Sequence, residues 1–340
     1  MQFRFAPSCS LNQKATPSKK LQTRKLTQRA GDYVAYLIVR FTIALIQTLP
    51  TDMGNAICKS LAWLLAGPLK ARGKATFENL RRVFPDAGEP ELQELNYRMW
   101  HSLLLMVCEI AWVRRRLHLT NWADHVSFVN QREMLERLLS RRPLICVTGH
   151  FGNFEISGYT LGLMGIGTTT IARTLDNPYL NDWVLKFRET HQQKMLDKDG
   201  CAEYVEGYLA SGGVLSILAD QFAGPKGYWT HVMGVPTSCH KALALFSLTS
   251  GAPMLAGYTR RLNAQPMQFE TACQAIVDPA DGNPETESIG ALTEWYNGQL
   301  EDAVAMSVEQ YWWLHRRWRD PSPKIAARLE KRLAKQAKAA

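Results

Sequence analysis

No Cys-x-x-Cys pair occurs in the 340 residues, and the seven cysteines, at 9, 58, 108, 146, 201, 239 and 273, are odd in number and far apart. That excludes a zinc ribbon and a redox dithiol, and fits reduced thiols in a cytosolic setting. His-Glu-x-x-His is missing, which removes the zincins, and the missing Gly-x-Ser-x-Gly argues against a serine hydrolase. The stretch Gly67 to Ala75 only superficially suggests a phosphate loop: it is one residue too long, Ala75 replaces the metal-binding hydroxyl, and no strand precedes it. Gly162, Gly165 and Gly167 reverse the dinucleotide fingerprint and read as a turn into a strand. No cofactor and no metal are expected. No N-terminal stretch has the anatomy of a secretory signal, although an acid-free leader shares its composition with transit peptides.

What the chain does have is an ordinary globular composition, 46% hydrophobic and 21% charged, long enough to bury a sizeable core. Its net charge of +9 sits at the ends. Residues 1–30 carry +7 with no acid and residues 321–340 carry +5, which leaves the stretch between them at −3. A core of that balance gives no support for nucleic-acid binding.

Long apolar runs are scarce too. The run from Tyr33 to Leu49, with Asp32 as a candidate cap, has 17 residues, short of the roughly 20 that cross a bilayer. Arg40 sits near its middle, at a cost of about 2.5–3.5 kcal/mol in a membrane. Tyr33, Tyr36, Arg40 and Gln47 recur at helical spacing as one polar stripe. The expectation is a helix lying in the membrane interface with Arg40 reaching headgroups, aided by the basic leader. A buried core helix has the same periodicity.

Helical patterns fill the first 140 residues, including Met53–Ala66, closed by Gly67-Pro68, and Leu92–Ile110. The grammar then changes. Pro143 to Thr148, Thr168–Ala172 and Val214–Leu218 are short β-branched runs, followed by Pro253–Thr259 and Phe269–Val277, with helices expected at Asn181–Met195 and Lys241–Ser250. The alternation predicts an α/β fold, a mostly parallel or mixed sheet flanked by helices. The expected organisation is a basic leader over 1–30, a hydrophobic helical region over 31–66, one α/β domain over 67–320 and a basic tail over 321–340.

The chemistry concentrates at Thr148-Gly149-His150-Phe151-Gly152-Asn153-Phe154-Glu155. A histidine and a carboxylate follow a buried strand, where α/β proteins place reactive groups. On one continuous helix the two would face different ways, so they meet only if His150 lies in the turn and Glu155 in the first helical turn. Gly149 and Gly152 permit that turn. A carboxylate on one ring nitrogen would fix the tautomer and leave the other free to take a proton from a hydroxyl. An ordinary loop histidine remains the alternative.

This His-x4-Glu segment does not stand alone. Asn79-Leu80 with Phe84-Pro85, Arg173 with Asp176-Asn177-Pro178, Asp220-Gln221, Met233-Gly234-Val235-Pro236, and Glu309-Gln310-Tyr311-Trp312-Trp313-Leu314-His315-Arg316-Arg317 occur in order over some 240 residues. The set resembles the bacterial lipid A biosynthesis (lauroyl/myristoyl) acyltransferases, a branch of the lysophospholipid acyltransferase superfamily with a glycerol-3-phosphate acyltransferase-like fold. The resemblance implies acyl transfer from acyl carrier protein or coenzyme A to a hydroxyl of a phosphorylated glycolipid, at the cytoplasmic face of an inner membrane. It casts His150 as general base and Glu155 as its orienting carboxylate, without a covalent intermediate. Arg173, Asn153, Asp220 and Arg316 fall at substrate-binding positions. Arg316 and Arg317 with Trp312 and Trp313 suggest an interfacial patch, though aromatic residues packed on a core read the same. His240, where the chain departs from the family pattern, reads as an ordinary neutral histidine. Rival readings are a relative acylating another lipid, a thioesterase, and a lipid-binding protein without turnover.

Overall fold

The computed structural model describes residues 25–337 apart from 191, 198 and 199, so most of the basic leader lies outside the described residues. Four helices come first: α1 (Leu26–Thr48), α2 (Thr51–Ala66), α3 (Gly73–Val83) and α4 (Glu89–Arg116). Strands and helices then alternate: β1 (Val126–Val129), α5 (Gln131–Leu139), β2 (Leu144–Thr148), α6 (Phe154–Leu163), β3 (Thr168–Ala172), α7 (Pro178–Glu189), β4 (Gln193–Asp197), α8 (Ala202–Ala210) and β5 (Val214–Leu218). A hairpin of β6 (Tyr228–Val232) and β7 (Val235–Cys239) follows, then α9 (Ala242–Ser250), β8 (Met254–Arg261), β9 (Phe269–Val277), α10 (Ile289–Ala305) and α11 (Pro323–Ala337).

Seven strands form one sheet in the order β1-β9-β8-β2-β5-β3-β4. Strands β8, β2, β5, β3 and β4 run parallel, β9 returns antiparallel to β8, and β1 runs parallel to β9. The sheet is thus the mixed, mostly parallel α/β arrangement expected. Its two faces differ in bulk. Ile145, Val147 and Leu215 pack with Val205, Leu209, Leu243 and Leu292 in one core under α8, α9 and α10. On the other face one row across β2, β5 and β3 consists of Cys146, Ser216 and Thr170, all small.

The apolar N-terminal segment differs from its expectation in two respects. The helix starts before Asp32 and runs 23 residues, about 34 Å, so by length and composition it suffices to cross a membrane. Its polar stripe faces the protein. Tyr33 and Tyr36 meet Tyr179, Arg40 lies 5.7 Å over Trp183, Asn177 donates to the Asp32 carbonyl, and Gln47 donates to the Ala111 carbonyl. Arg40 remains exposed beside these rings. The outward side carries Val34, Leu37, Ile38, Phe41 and Leu45, and α2 adds Met53, Ile57, Leu61 and Trp63. In the tail, residues 323–337 form a helix with Leu329 buried and Arg332 donating to Tyr228 and to the Trp229 carbonyl. The stretch expected as one helix to Met195 breaks at Glu189, and β4 pairs with β3 instead.

The helical layer is tied to the sheet by a buried ion pair. Arg261 on β8 donates from Nε and Nη2 to the two carboxylate oxygens of Glu109 on α4, at 2.6 and 2.7 Å, and both residues are buried. Glu109 also accepts from the Met267 amide and the Asn153 side chain. Removing one partner strands the other charge in the interior. Glu109→Gln is expected to lower unfolding free energy by about 3–5 kcal/mol, read as a lower denaturant midpoint in detergent; a midpoint equal to the parent protein's would refute the assignment.

Candidate active site

Parallel pairing of β2 with β5 sets the centre of the site. Thr148 is level with Leu218, and the Ala219 amide donates to the Thr148 carbonyl, so residues two beyond each strand stand opposite one another. Those residues are His150 and Asp220. Nδ1 of His150 lies 2.7 Å from Oδ1 of Asp220, and the His150 amide donates to Oδ2 at 2.8 Å. Gly149 makes room, since a Cβ there would sit 3.2 Å from the Asp220 carboxyl carbon. With Asp220 accepting at Nδ1, the other ring nitrogen is left for chemistry. Nε2 is 3.4 Å from Nε2 of Gln221.

Glu155 is not the partner of His150. It stands in the first turn of α6, as expected, but its carboxylate is paired with Arg188 of α7 through both Nε and Nη2. The spacing in sequence placed it near the imidazole; sheet adjacency gave the contact to Asp220 instead. The signal was present in two parallel phrases, Val147-Thr-Gly-His150 and Ile217-Leu-Ala-Asp220, each an apolar strand followed by one polar group.

The loop is held from three sides. Gly152 has φ +59°, and a Cβ there would come within 1.9 Å of the Thr259 carbonyl oxygen, so only glycine fits. Asn153 caps α6 by accepting from the Ile156 amide and donates to Glu109; it is fully buried, so its substrate-binding assignment gives way to a structural one. The Gly152 amide donates to the Gln310 carbonyl, the Asn153 amide to Thr259, and the Trp312 amide to the His150 carbonyl. Trp312, Phe154 and His315 crowd the imidazole, with ring centroids 5.1, 5.4 and 4.7 Å away. The C-terminal motif is therefore the back wall of the site. Trp313 and Arg317 are buried rather than interfacial, and Arg316 is exposed beside them. The sequence leaves both placements open, since a core aromatic and an interfacial one look alike.

Burial alone would raise the Asp220 carboxyl, but the imidazole and the Arg317 guanidinium outweigh it and hold the group well below the usual carboxylate range. Burial lowers His240, and burial with the neighbouring His150 brings His315 down to about 4. His240 is partly buried and lines the same cavity as His150.

A cavity of about 870 Å³ opens beside His150 and is lined by Phe154, Glu155, Arg173, Arg188 and Gln221. Its lining also includes the small-residue row of Cys146, Ser216 and Thr170, Ser157 and Leu161 of α6, and Met134 and Leu138 of α5. A second cavity of about 490 Å³, lined by Trp183, Val184 and Phe187 of α7, shares the Glu155–Arg188 wall with it. Arg173 borders both; its guanidinium is exposed and 3.3 Å from Asp176. No group of three or more His, Cys, Asp or Glu is arranged to hold a metal among the described residues.

Because His315 binds protons less readily folded than unfolded, its contribution to stability is complete above about 6.5 and declines as pH falls toward 4. His101, hydrogen-bonded to Asn55 and also lowered by burial to about 4, adds in the same sense. The melting temperature is expected to drop between pH 6.5 and 4, and H315Q to flatten that slope; an unchanged slope would contradict it.

Residues 20–320 match the family described as bacterial lipid A biosynthesis acyltransferase. The chain is 25% identical to the lipid A biosynthesis lauroyltransferase of Escherichia coli K12 over 85% of its own length and 90% of that protein. It is 25% identical to the palmitoleoyltransferase of lipid A biosynthesis from the same organism, covering 74% of this chain and 80% of the relative. A lipid A biosynthesis acyltransferase of Haemophilus influenzae is 22% identical over 80% and 86% of the two chains.

Proposed function

Because the chain belongs to the bacterial lipid A biosynthesis acyltransferase family, we propose that it moves a fatty acyl chain from a thioester donor, acyl carrier protein or coenzyme A, to a hydroxyl of a phosphorylated lipid A-type precursor, with His150 as general base. The observation that carries this reading is the His150–Asp220 hydrogen bond at the mouth of a deep, largely apolar cavity.

In this mechanism Nε2 of His150 takes the proton of the acceptor hydroxyl while Nδ1–H donates to Asp220. The oxygen attacks the thioester carbonyl carbon, and the tetrahedral adduct collapses with cleavage of the C–S bond. The imidazolium returns its proton to the departing thiolate, leaving ester and thiol. Phe154 and Glu155, the first turn of α6, border the cavity, so the positive end of that helix stabilises the developing oxyanion. Glu155 acts through Arg188, fixing the wall between the two cavities, and Arg173 offers an exposed cation to an anionic acceptor group. The acyl chain occupies the space beneath α6, where each buried methylene contributes about 0.8 kcal/mol.

Membrane association at the cytoplasmic face of an inner membrane is part of this proposal, and the exposed apolar sides of α1 and α2 support association with a membrane. Helix α1 is held to the body near both of its ends, and its exposed side is apolar. That arrangement favours a helix lying in the interface over one leaving the domain to span it.

His150→Ala is expected to abolish transfer from acyl thioester to a glucosamine disaccharide lipid, and Asp220→Asn to lower kcat by about 10²–10⁴-fold. Glu155→Gln should cost less than Asp220→Asn. The reverse order, with Asp220→Asn near parent activity, would overturn the assignment of Asp220. Label appearing only on another lipid, or only as free fatty acid, would replace the acceptor named here.

Filling the small-residue row is expected to shorten the preferred chain. Ser216→Leu should lower kcat/KM for the longest donor by about 10–200-fold for each methylene displaced, while short-chain donors remain usable. Equal losses across a donor series would place the chain elsewhere.

A further inference from the structure

When an acyl chain passes from one lipid to another, two hydrocarbon tails have to be sheltered from water beside one base. The cavity beside His150 has space for one of them. The second cavity, of about 490 Å³, has no occupant in the mechanism above, and its size is that of a small-ligand site. Its walls are largely apolar: Ile110 of α4, Leu175 in the loop after β3, and Trp183, Val184, Leu185 and Phe187 of α7. Trp183 and Phe187 stack with centroids 6.3 Å apart, and Phe187 stacks on Tyr159 of α6 at 6.2 Å, so the lining is braced by its own rings.

The cavity adjoins α1. Trp183 lies 5.7 Å from the Arg40 guanidinium, and the loop that carries Leu175 reaches α1 where Asn177 donates to the Asp32 carbonyl at 2.8 Å. Leu175, on the rim, is 44% exposed, and the outward side of α1 is apolar. An exposed leucine at the mouth, beside such a helix, offers a lipid tail a way in that stays out of water. The rim is fixed in place: buried Asn181 accepts from the Leu175 amide at 3.0 Å, and the Thr174 hydroxyl donates to Asp197 of β4.

The same cavity meets the first one next to the base. Glu155, Arg188, Met195, Ala172 and Arg173 border both. Glu155 stands five residues after His150, in the first turn of α6. Arg188 donates to its carboxylate from Nε at 3.1 Å and from Nη2, and to Sδ of Met195 from Nη1 at 3.3 Å. The partition is therefore a mostly buried, two-pronged ion pair, which a hydrocarbon tail would have to part in order to cross.

We propose that the second cavity is a binding site for an acyl chain that the acceptor lipid already carries, and that the Glu155–Arg188 pair keeps this tail apart from the donor's; the assignment rests on reading the protein as an acyltransferase between a thioester and a lipid. The two tails approach the imidazole from opposite sides of one wall, with the polar part of the acceptor beside Arg173. A site for bulk phospholipid would have no need to share a wall with the cavity of His150.

The test is photolabelling of the whole chain in phosphatidylglycerol vesicles, with three probes that carry a diazirine at the end of one acyl chain: a glucosamine disaccharide lipid, an acyl-coenzyme A and a phosphatidylglycerol. Peptide mass spectrometry reads the labelled positions. The disaccharide probe is expected to label residues 181–187 of α7, and the coenzyme A probe the wall that contains Cys146 and Ser216. Disaccharide label absent from α7, or matched there by the phosphatidylglycerol probe, overturns the assignment. Val184→Trp fills the second cavity and is expected to raise KM for the acylated disaccharide at least about tenfold, while the ranking of donor chain lengths stays that of the parent protein. A changed donor ranking with an unchanged acceptor KM would put the donor tail there instead and overturn the proposal. Labelling of the parent protein needs neither the variant nor turnover, so it decides the matter even where Val184→Trp does not fold. Selective label on α7 without acyl transfer supports the site and counts against the transferase reading. Transfer with acceptor label confined to the first cavity leaves that reading standing and removes the second site.

Discussion

One carboxylate that never meets the cavity organises everything that does. Glu109, in the middle of the long helix α4, ties the helical layer to β8 through Arg261 and holds Asn153, which in turn caps α6. The turn carrying His150 is thereby fixed to both the helical layer and the sheet. Such a pair adds little net stability over an apolar core of the same volume. It does specify which strand, helix and loop come together, because only this arrangement leaves no lone charge.

The geometry of the candidate site then follows from strand adjacency. Two neighbouring parallel strands end level with each other, and the polar residue two places beyond each meets its counterpart. The imidazole needs no flexible partner from a distant loop, and the back wall of Trp312 and His315 limits its rotation. Glu155 is left to serve the wall shared by two cavities.

Much of this was legible in the amino-acid order. The strands Thr168–Ala172, Val214–Leu218 and Phe269–Val277 announce themselves as β-branched runs and occur where they are expected. Asn153 and Glu155 were seen as part of the chemical segment, yet their partners, Glu109 and Arg188, lie 44 and 33 residues away and leave no local trace. Strand β4, Gln193–Asp197, is an edge strand with polar residues at both ends, so it lacks the apolar signature that marks its neighbours. The polar stripe of α1 is visible in the sequence, but periodicity says which residues share a face and not what that face meets. Only the rings of Tyr179 and Trp183 reveal that it turns inward.

The row of Cys146, Ser216 and Thr170 leaves the interior unfinished on one side of the sheet. Proteins ordinarily fill such space, because empty volume forfeits dispersion contacts. A hydrocarbon tail seated there would complete the packing that the polypeptide omits. Occupancy and folding then become a single linked equilibrium, in which the molecule is most robust when charged with its own cargo.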